Sequence, residues 1–167
     1  MADAAAAVVM PYYKSRIPID TKADTSPVTA ADREAEAVMR AQITATFADH
    51  GIFGEEHGQE RIDAKYVWVL DPIDGTKSFV TGKPLFGTLI ALLEDGVPIL
   101  GIMDNPALKE RWVGCRGSAT ALNGEAVAGA RRCESLGDAW LYTTTPEMFE
   151  GAEDVAFQRL AGSVCNS

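Results

Sequence analysis

Asp71 and Asp74 stand three residues apart in the segment Tyr66-Val-Trp-Val-Leu-Asp-Pro-Ile-Asp-Gly-Thr-Lys-Ser-Phe-Val-Thr-Gly82. The apolar run Tyr66–Leu70 reads as a buried strand that delivers Asp71, Pro72 ends it, and Asp74 follows one turn later. Gly75 and Thr76 then open a short helix. Two carboxylates on a turn fixed by proline and glycine can face one small space, which suits hard, oxygen-preferring cations, Mg²⁺ above all. The helix start beyond them offers backbone N–H groups where a phosphate is favoured. Cation beside phosphate implies phosphoryl chemistry.

Taken alone, an Asp before Pro or before Gly is also ordinary turn and cap chemistry. The segment Phe53-Gly-Glu-Glu-His-Gly58 adds weight to metal binding. Its adjacent glutamates follow a glycine outside any helical pattern, so they repel one another with no helix pairing in return, and a cation offsets that repulsion. In this reading Glu55, Asp71 and Asp74 supply carboxylate oxygens and the Ile73 carbonyl fills a further position. Such a cluster can hold two Mg²⁺ that share Asp71, activating a water and neutralising a leaving oxygen. Thr76 can place its hydroxyl on that water, with Asp32 as its orienter. Thr29-x-x-Asp32 is equally a capping box at a helix start, and both readings of Asp32 stand. Lys77 either adds charge beside the phosphate or is a solvated helix lysine.

No Ser, Cys or His is paired for nucleophilic work, so direct attack by water on phosphorus is expected, with no phospho-enzyme. His50 and His57 are too isolated for a histidine metal site. Cys115, Cys133 and Cys165 match no zinc or redox spacing and suit a reducing compartment. The apolar stretch Ala4–Met10 is too short to span a bilayer. With 15 Lys and Arg against 24 Asp and Glu, the formal charge is −9, which disfavours nucleic acid and anionic membrane as partners. A cytoplasmic protein is the expectation.

The elements that must position these residues follow from patterning. Helices are expected over Asp3–Lys14 and Ala30–Ala48, the second with Ala31, Ala35, Val38, Ala41, Ile43 and Phe47 at helical spacing and Gly51 past its end. Residues 15–28, with Lys22, Asp24 and Ser26, read as a loop. Strands are expected at Tyr66–Leu70, Phe86–Leu93, Pro98–Asp104, Arg111–Cys115 and Ala139–Thr144. Glu94-Asp95-Gly96 marks a hairpin and Asn123-Gly124 another tight turn. Hairpins mean antiparallel pairing, which excludes a doubly wound parallel sheet. A helical region starts at Pro146 and runs to about Leu160. At 167 residues, 47% hydrophobic and 23% charged, a single globular domain over 1–167 is expected.

Four segments together resemble the inositol monophosphatase superfamily of Mg²⁺-dependent, lithium-sensitive phosphatases: Pro27-Val-Thr-Ala-Ala-Asp32, Gly54-Glu-Glu56, Trp68-Val-Leu-Asp-Pro-Ile-Asp-Gly-Thr76 and the hairpin Gly87–Asn105. The resemblance covers nearly the whole chain. It implies an α/β (α+β) layered sandwich, with N-terminal helices on a mostly antiparallel sheet. It implies that Glu55, Asp71, Asp74 and the Ile73 carbonyl hold two or three Mg²⁺ in a complete site. It also implies that Thr76 with Asp32 activates water, and that Ile73, Asp74, Gly75 and Thr76 hold the phosphate of a small phosphorylated alcohol. A homodimer is the usual assembly.

Within that superfamily, Lys77-Ser78-Phe79, Lys109-Glu-Arg-Trp-Val-Gly114, Leu122-Asn-Gly124 and Tyr142-Thr-Thr-Thr-Pro146 resemble the histidinol-phosphate phosphatase branch. That branch serves histidine biosynthesis; inositol-1-phosphate is the alternative substrate. Family members carry a second α/β portion with a Trp-Asp segment whose Asp completes the second metal site. Nothing after Asp154 resembles it, so a C-terminally truncated form of the parent fold is expected. A non-catalytic, metal-binding fragment is then the competing reading.

Overall fold

The computed structural model describes residues 1–16, 18, 20–21, 27–127 and 133–165. The chain divides into two compact units, Met1–Val127 and Ala128–Ser167. Half of the loop expected over 15–28, including Lys22, Asp24 and Ser26, lies outside the described residues.

In the first unit, α1 (Ala2–Val9) and α2 (Ala30–Thr46) precede the strands. Helix α1 is shorter than expected. Met10 N–H donates the last helical bond to Ala6 at 3.0 Å, and Pro11 has no N–H with which to continue it. The chain goes on in turns to Ser15. A two-stranded ribbon, β1 (Asp20–Thr21) with β2 (Pro27–Val28), leads into α2.

The strands β3 (Gly51–Gly54), β4 (Gly58–Glu60), β5 (Tyr66–Asp74), β6 (Gly87–Glu94), β7 (Val97–Asn105), β8 (Glu110–Cys115), β9 (Ala121–Leu122) and β10 (Glu125–Ala126) build one sheet. Its order is β10-β9-β8-β7-β6-β5-β3-β4. The expected hairpins are present: Asp95 and Gly96 turn β6 into β7, and Asn123 and Gly124 turn β9 into β10, all four at positive φ. Every pair is antiparallel except β3 with β5. The strands β3 and β4 were not legible in the sequence, because four and three residues of mostly small or polar type carry no alternation to read.

Both helices pack on one face of the sheet. The core joins Ala5 and Val9 of α1, Ala31, Ala35, Met39 and Ile43 of α2, and Ile52, Trp68, Leu70 and Ile90 of the strands. Here the register of α2 corrects the sequence reading, since Ala41 and Phe47 are exposed and Val38 only half-buried. The buried face carries two rows at four-residue spacing: the apolar Ala31-Ala35-Met39-Ile43 and beside it the polar Asp32-Glu36-Arg40. Polar residues on a buried face hide the helical period from a hydrophobicity count.

In the second unit, the strand expected at Ala139–Thr144 does not form. Trp140 makes an isolated bridge, Cys165 N–H donates to Ala139 O at 2.9 Å, and the described residues of this unit offer no sheet to extend. Leu136–Asp138 and Pro146–Met148 are 3₁₀ turns, and α4 spans Ala152–Ala161. Gly151 at φ 55° separates that second turn from α4, so the helical region expected from Pro146 is interrupted. Phe149 stacks on Phe157 with ring centroids 4.8 Å apart.

The two rows of α2 make a prediction. Met39→Ala should cost about 2–5 kcal/mol of stability in denaturant unfolding, whereas Ala41→Lys, on the exposed side, should stay within about 0.5 kcal/mol.

Candidate functional site

Strand β5 does not stop at Pro72. Asp71 pairs with Leu89 and Asp74 with Gly87, so the ladder with β6 resumes after an irregularity that takes in Pro72 and Ile73. Proline cannot donate to a ladder and in a sheet sits at such irregularities. The buried Thr88 hydroxyl donates to the Pro72 carbonyl at 2.8 Å and pins the irregularity in place. It separates the two aspartates without ending the strand, leaving Asp71 half-buried and Asp74 exposed.

Gly75 follows at φ 85° and caps α3 (Thr76–Val80). This is a left-handed position, and a Cβ there would lie 2.8 Å from the Leu85 carbonyl oxygen. The Thr76 hydroxyl donates to the Ile73 carbonyl at 3.1 Å. That bond places hydroxyl and carbonyl side by side while the Ile73 side chain is buried in the core. Phe79 locks α3 down, stacked against Tyr13 and edge-on to Phe86. Lys77 is exposed.

Glu55 arrives from β3. Parallel pairing sets Phe53 against Val69 and Gly54 against Leu70, and Glu55 N–H donates to the Leu70 carbonyl at 3.2 Å. Two residues along each strand preserve the face, so Glu55 and Asp71 leave the sheet together, at the same end and on the same side. Asp71 and Val69 border an open hollow of about 500 Å³ on that face, with Leu89, Met103 and Trp112.

Asp32 is buried and completes the capping box of α2. It accepts from the Thr29 N–H at 2.8 Å and the Thr29 hydroxyl at 2.6 Å, while Ala31 N–H donates to the Thr29 oxygen at 3.2 Å. Helix α3 lies against β2, the strand that runs directly into Thr29.

As donors, Glu55, Asp71, Asp74 and the Ile73 carbonyl are all oxygen, the set a hard divalent cation requires. Among the described residues, no three His, Cys, Asp or Glu side chains converge tightly enough to ligate one ion as they stand. What the fold brings together is the backbone positions of these residues, through the β3–β5 register and the resumed β5–β6 ladder. The histidines stand apart from this set. His50 accepts from Trp68 Nε1 at 3.1 Å within an aromatic cluster, and His57 Nε2 lies 2.9 Å from the Arg33 carbonyl.

Two residues with a direct bearing on the site escaped the sequence reading. Glu36 and Arg40 at i, i+4 look like a solvated helix pair, yet both are buried beneath the Glu55 turn. Farther along the sheet, Asp104, paired with Thr88, accepts from Arg111 Nε at 2.7 Å. That hydrogen bond raises the Arg111 pKa above its ordinary value, and Arg111 in turn holds the exposed Asp3 below its own.

The model of the Inositol monophosphatase family matches residues 1–158. A chloroplastic bifunctional phosphatase from Arabidopsis thaliana is 50% identical over 166 residues, 98% of this chain and 48% of that protein. A histidinol-phosphatase from Chlorobaculum parvum is 38% identical over 144 residues, 86% of this chain and 56% of that protein. The solved structure of an inositol monophosphatase from Zymomonas mobilis superposes with a TM-score of 0.85 at 46% identity, covering 99% of this chain and 63% of that one. The chain thus spans about half the length of the curated relatives it matches.

At Gly75 the geometry can be tested without any ligand. Gly75→Ala should lower stability by about 1–3 kcal/mol, read as a drop in the unfolding midpoint, because the new methyl meets both a left-handed backbone and the Leu85 carbonyl.

Proposed function

Because the chain belongs to the inositol monophosphatase family, we propose that it takes part in hydrolysis of a small phosphate monoester, histidinol phosphate to histidinol and phosphate. The observation that carries the reading is the register that sets Glu55 beside Asp71 while the ladder irregularity brings Asp74 to the same strand end. Glu55, Asp71, Asp74 and the Ile73 carbonyl would hold Mg²⁺. When bound, the cations supply Lewis-acid polarisation of the phosphate and neutralise the leaving oxygen.

The protein's own groups orient and move protons. The Thr76 hydroxyl, which in the resting chain donates to the Ile73 carbonyl, would turn its proton toward Asp32 and take a hydrogen bond from the attacking water. As the new O–P bond forms, the water's proton would pass to Thr76 and that of Thr76 to Asp32. Gly75 and Thr76 present backbone N–H groups to the phosphate at the start of α3. The water attacks phosphorus directly. Positioning and charge do most of the work in such a transfer.

Histidinol phosphate is favoured by the segments Lys77-Ser78-Phe79 and Lys109–Gly114, and by likeness to a protein named histidinol-phosphatase. Inositol-1-phosphate is the second reading, favoured by the 46% identity to the Zymomonas mobilis inositol monophosphatase. Cytoplasmic location and a homodimer belong to the same proposal. The described residues include no helix long and apolar enough to cross a membrane.

Phosphate release from histidinol phosphate and from inositol-1-phosphate, with and without Mg²⁺, tests the reading. Release should require the cation, stop with EDTA, favour histidinol phosphate and fall about a hundredfold or more in Asp71→Asn. Turnover that survives both EDTA and that substitution rules the mechanism out.

A further inference from the structure

Glu36 lies in the middle of α2 and is fully buried. A buried carboxylate is costly unless its oxygens are met by donors, and this one meets three. Glu56 N–H donates to Oε2 at 2.6 Å, His57 N–H to Oε1 at 3.1 Å, and Arg40 Nε to Oε1 at 2.6 Å. Arg40 carries the strap onward, donating to Glu60 Oε1 at 3.0 Å and to the Gly58 carbonyl. The turn after β3 and the strand β4 beyond it are therefore tied to one helix.

The consequence falls on Glu55. Its own N–H is committed to Leu70 O, and the next two N–H groups are committed to Glu36. Three consecutive amides are thus fixed from two directions, by strand β5 and by helix α2. Gly54 is what permits the approach, since a Cβ there would lie 2.0 Å from Glu36 Oε1. Strand β4 is short, exposed and at the sheet edge, so little apolar surface holds this turn. A buried ion pair is a poor source of stability compared with apolar packing. A buried carboxylate offers something packing does not: direction, through hydrogen bonds to named amides.

We propose that Glu36 is a positioning residue that aims Glu55 at the cation, with Arg40 holding its carboxylate in place. The inference rests on Glu55 being a metal ligand, as read above. Glu36 touches neither substrate nor ion; it fixes the backbone of the ligand, and outer partners of this kind set metal affinity by about 10–100-fold.

Mn²⁺ titration followed by electron paramagnetic resonance tests this on the intact chain, with four variants beside the parent. Glu36→Gln keeps the size of the side chain but turns one acceptor into a donor facing an N–H, and should weaken Mn²⁺ binding roughly tenfold or more. Met39→Ala lies on the same helix in the apolar row and should leave binding within about twofold despite its larger cavity. Equal binding by the parent and Glu36→Gln, or equal loss in Met39→Ala, overturns the role of Glu36 and leaves the metal site standing. Mn²⁺ binding untouched by both Glu55→Gln and Asp71→Asn overturns the site on which the inference rests. Hydrogen exchange of the parent chain decides independently of whether any variant folds. The Glu56 and His57 amides should be protected, and exchange of both at unprotected rates contradicts the anchor.

Discussion

One parallel strand pair determines what this sheet can do. All other neighbours in it are antiparallel, but β3 runs alongside β5 in the same direction. Parallel strands bring their C-terminal ends to the same place. Here those ends carry Glu55 and Asp71, joined through the Glu55 N–H and the Leu70 carbonyl. Under the proposed function, this is where the cation would sit.

The rest of the unit supports that juncture. The ladder irregularity at Pro72 and Ile73, pinned by Thr88, brings Asp74 and the Ile73 carbonyl to the same strand end. The left-handed Gly75 turns the chain sharply into α3, so Thr76 folds back onto Ile73. From the helical layer, α2 sends a row of three buried polar residues toward the strands. Asp32 caps its N-terminus, Glu36 ties the Glu55 turn, and Arg40 completes the strap. The apolar row beside them supplies the packing. One helix thus separates the work of cohesion from the work of aim by a single residue's rotation.

The sequence makes the Asp71–Thr76 segment legible because its chemistry is local. Proline, glycine and two carboxylates within six residues have few structural uses in common. The β6–β7 hairpin was legible for the same reason, since Asp95 and Gly96 supply the positive φ values its turn needs. What could not be read depends on distant partners. Strand β3 is recognisable only once β5 lies beside it, and Glu36 looks like half of a surface ion pair until the turn above closes over it. The face of α2 was misassigned at Ala41 and Phe47 because the core side contains charge. Ala139–Thr144 has strand composition but lacks a neighbour to pair with among the described residues of its unit, and composition alone does not make a ladder.

If the proposed function holds, oxygens from Glu55, Asp71, Asp74 and Ile73 share one divalent-cation site beside the start of α3. Anomalous diffraction from crystals grown with Mn²⁺ and inorganic phosphate measures it directly. Manganese peaks are expected within bonding distance of the Glu55 and Asp71 carboxylates, with phosphate density between them and the Gly75–Thr76 amides. Manganese bound elsewhere on the chain, with Glu55 turned to solvent and no peak beside Asp71, contradicts it.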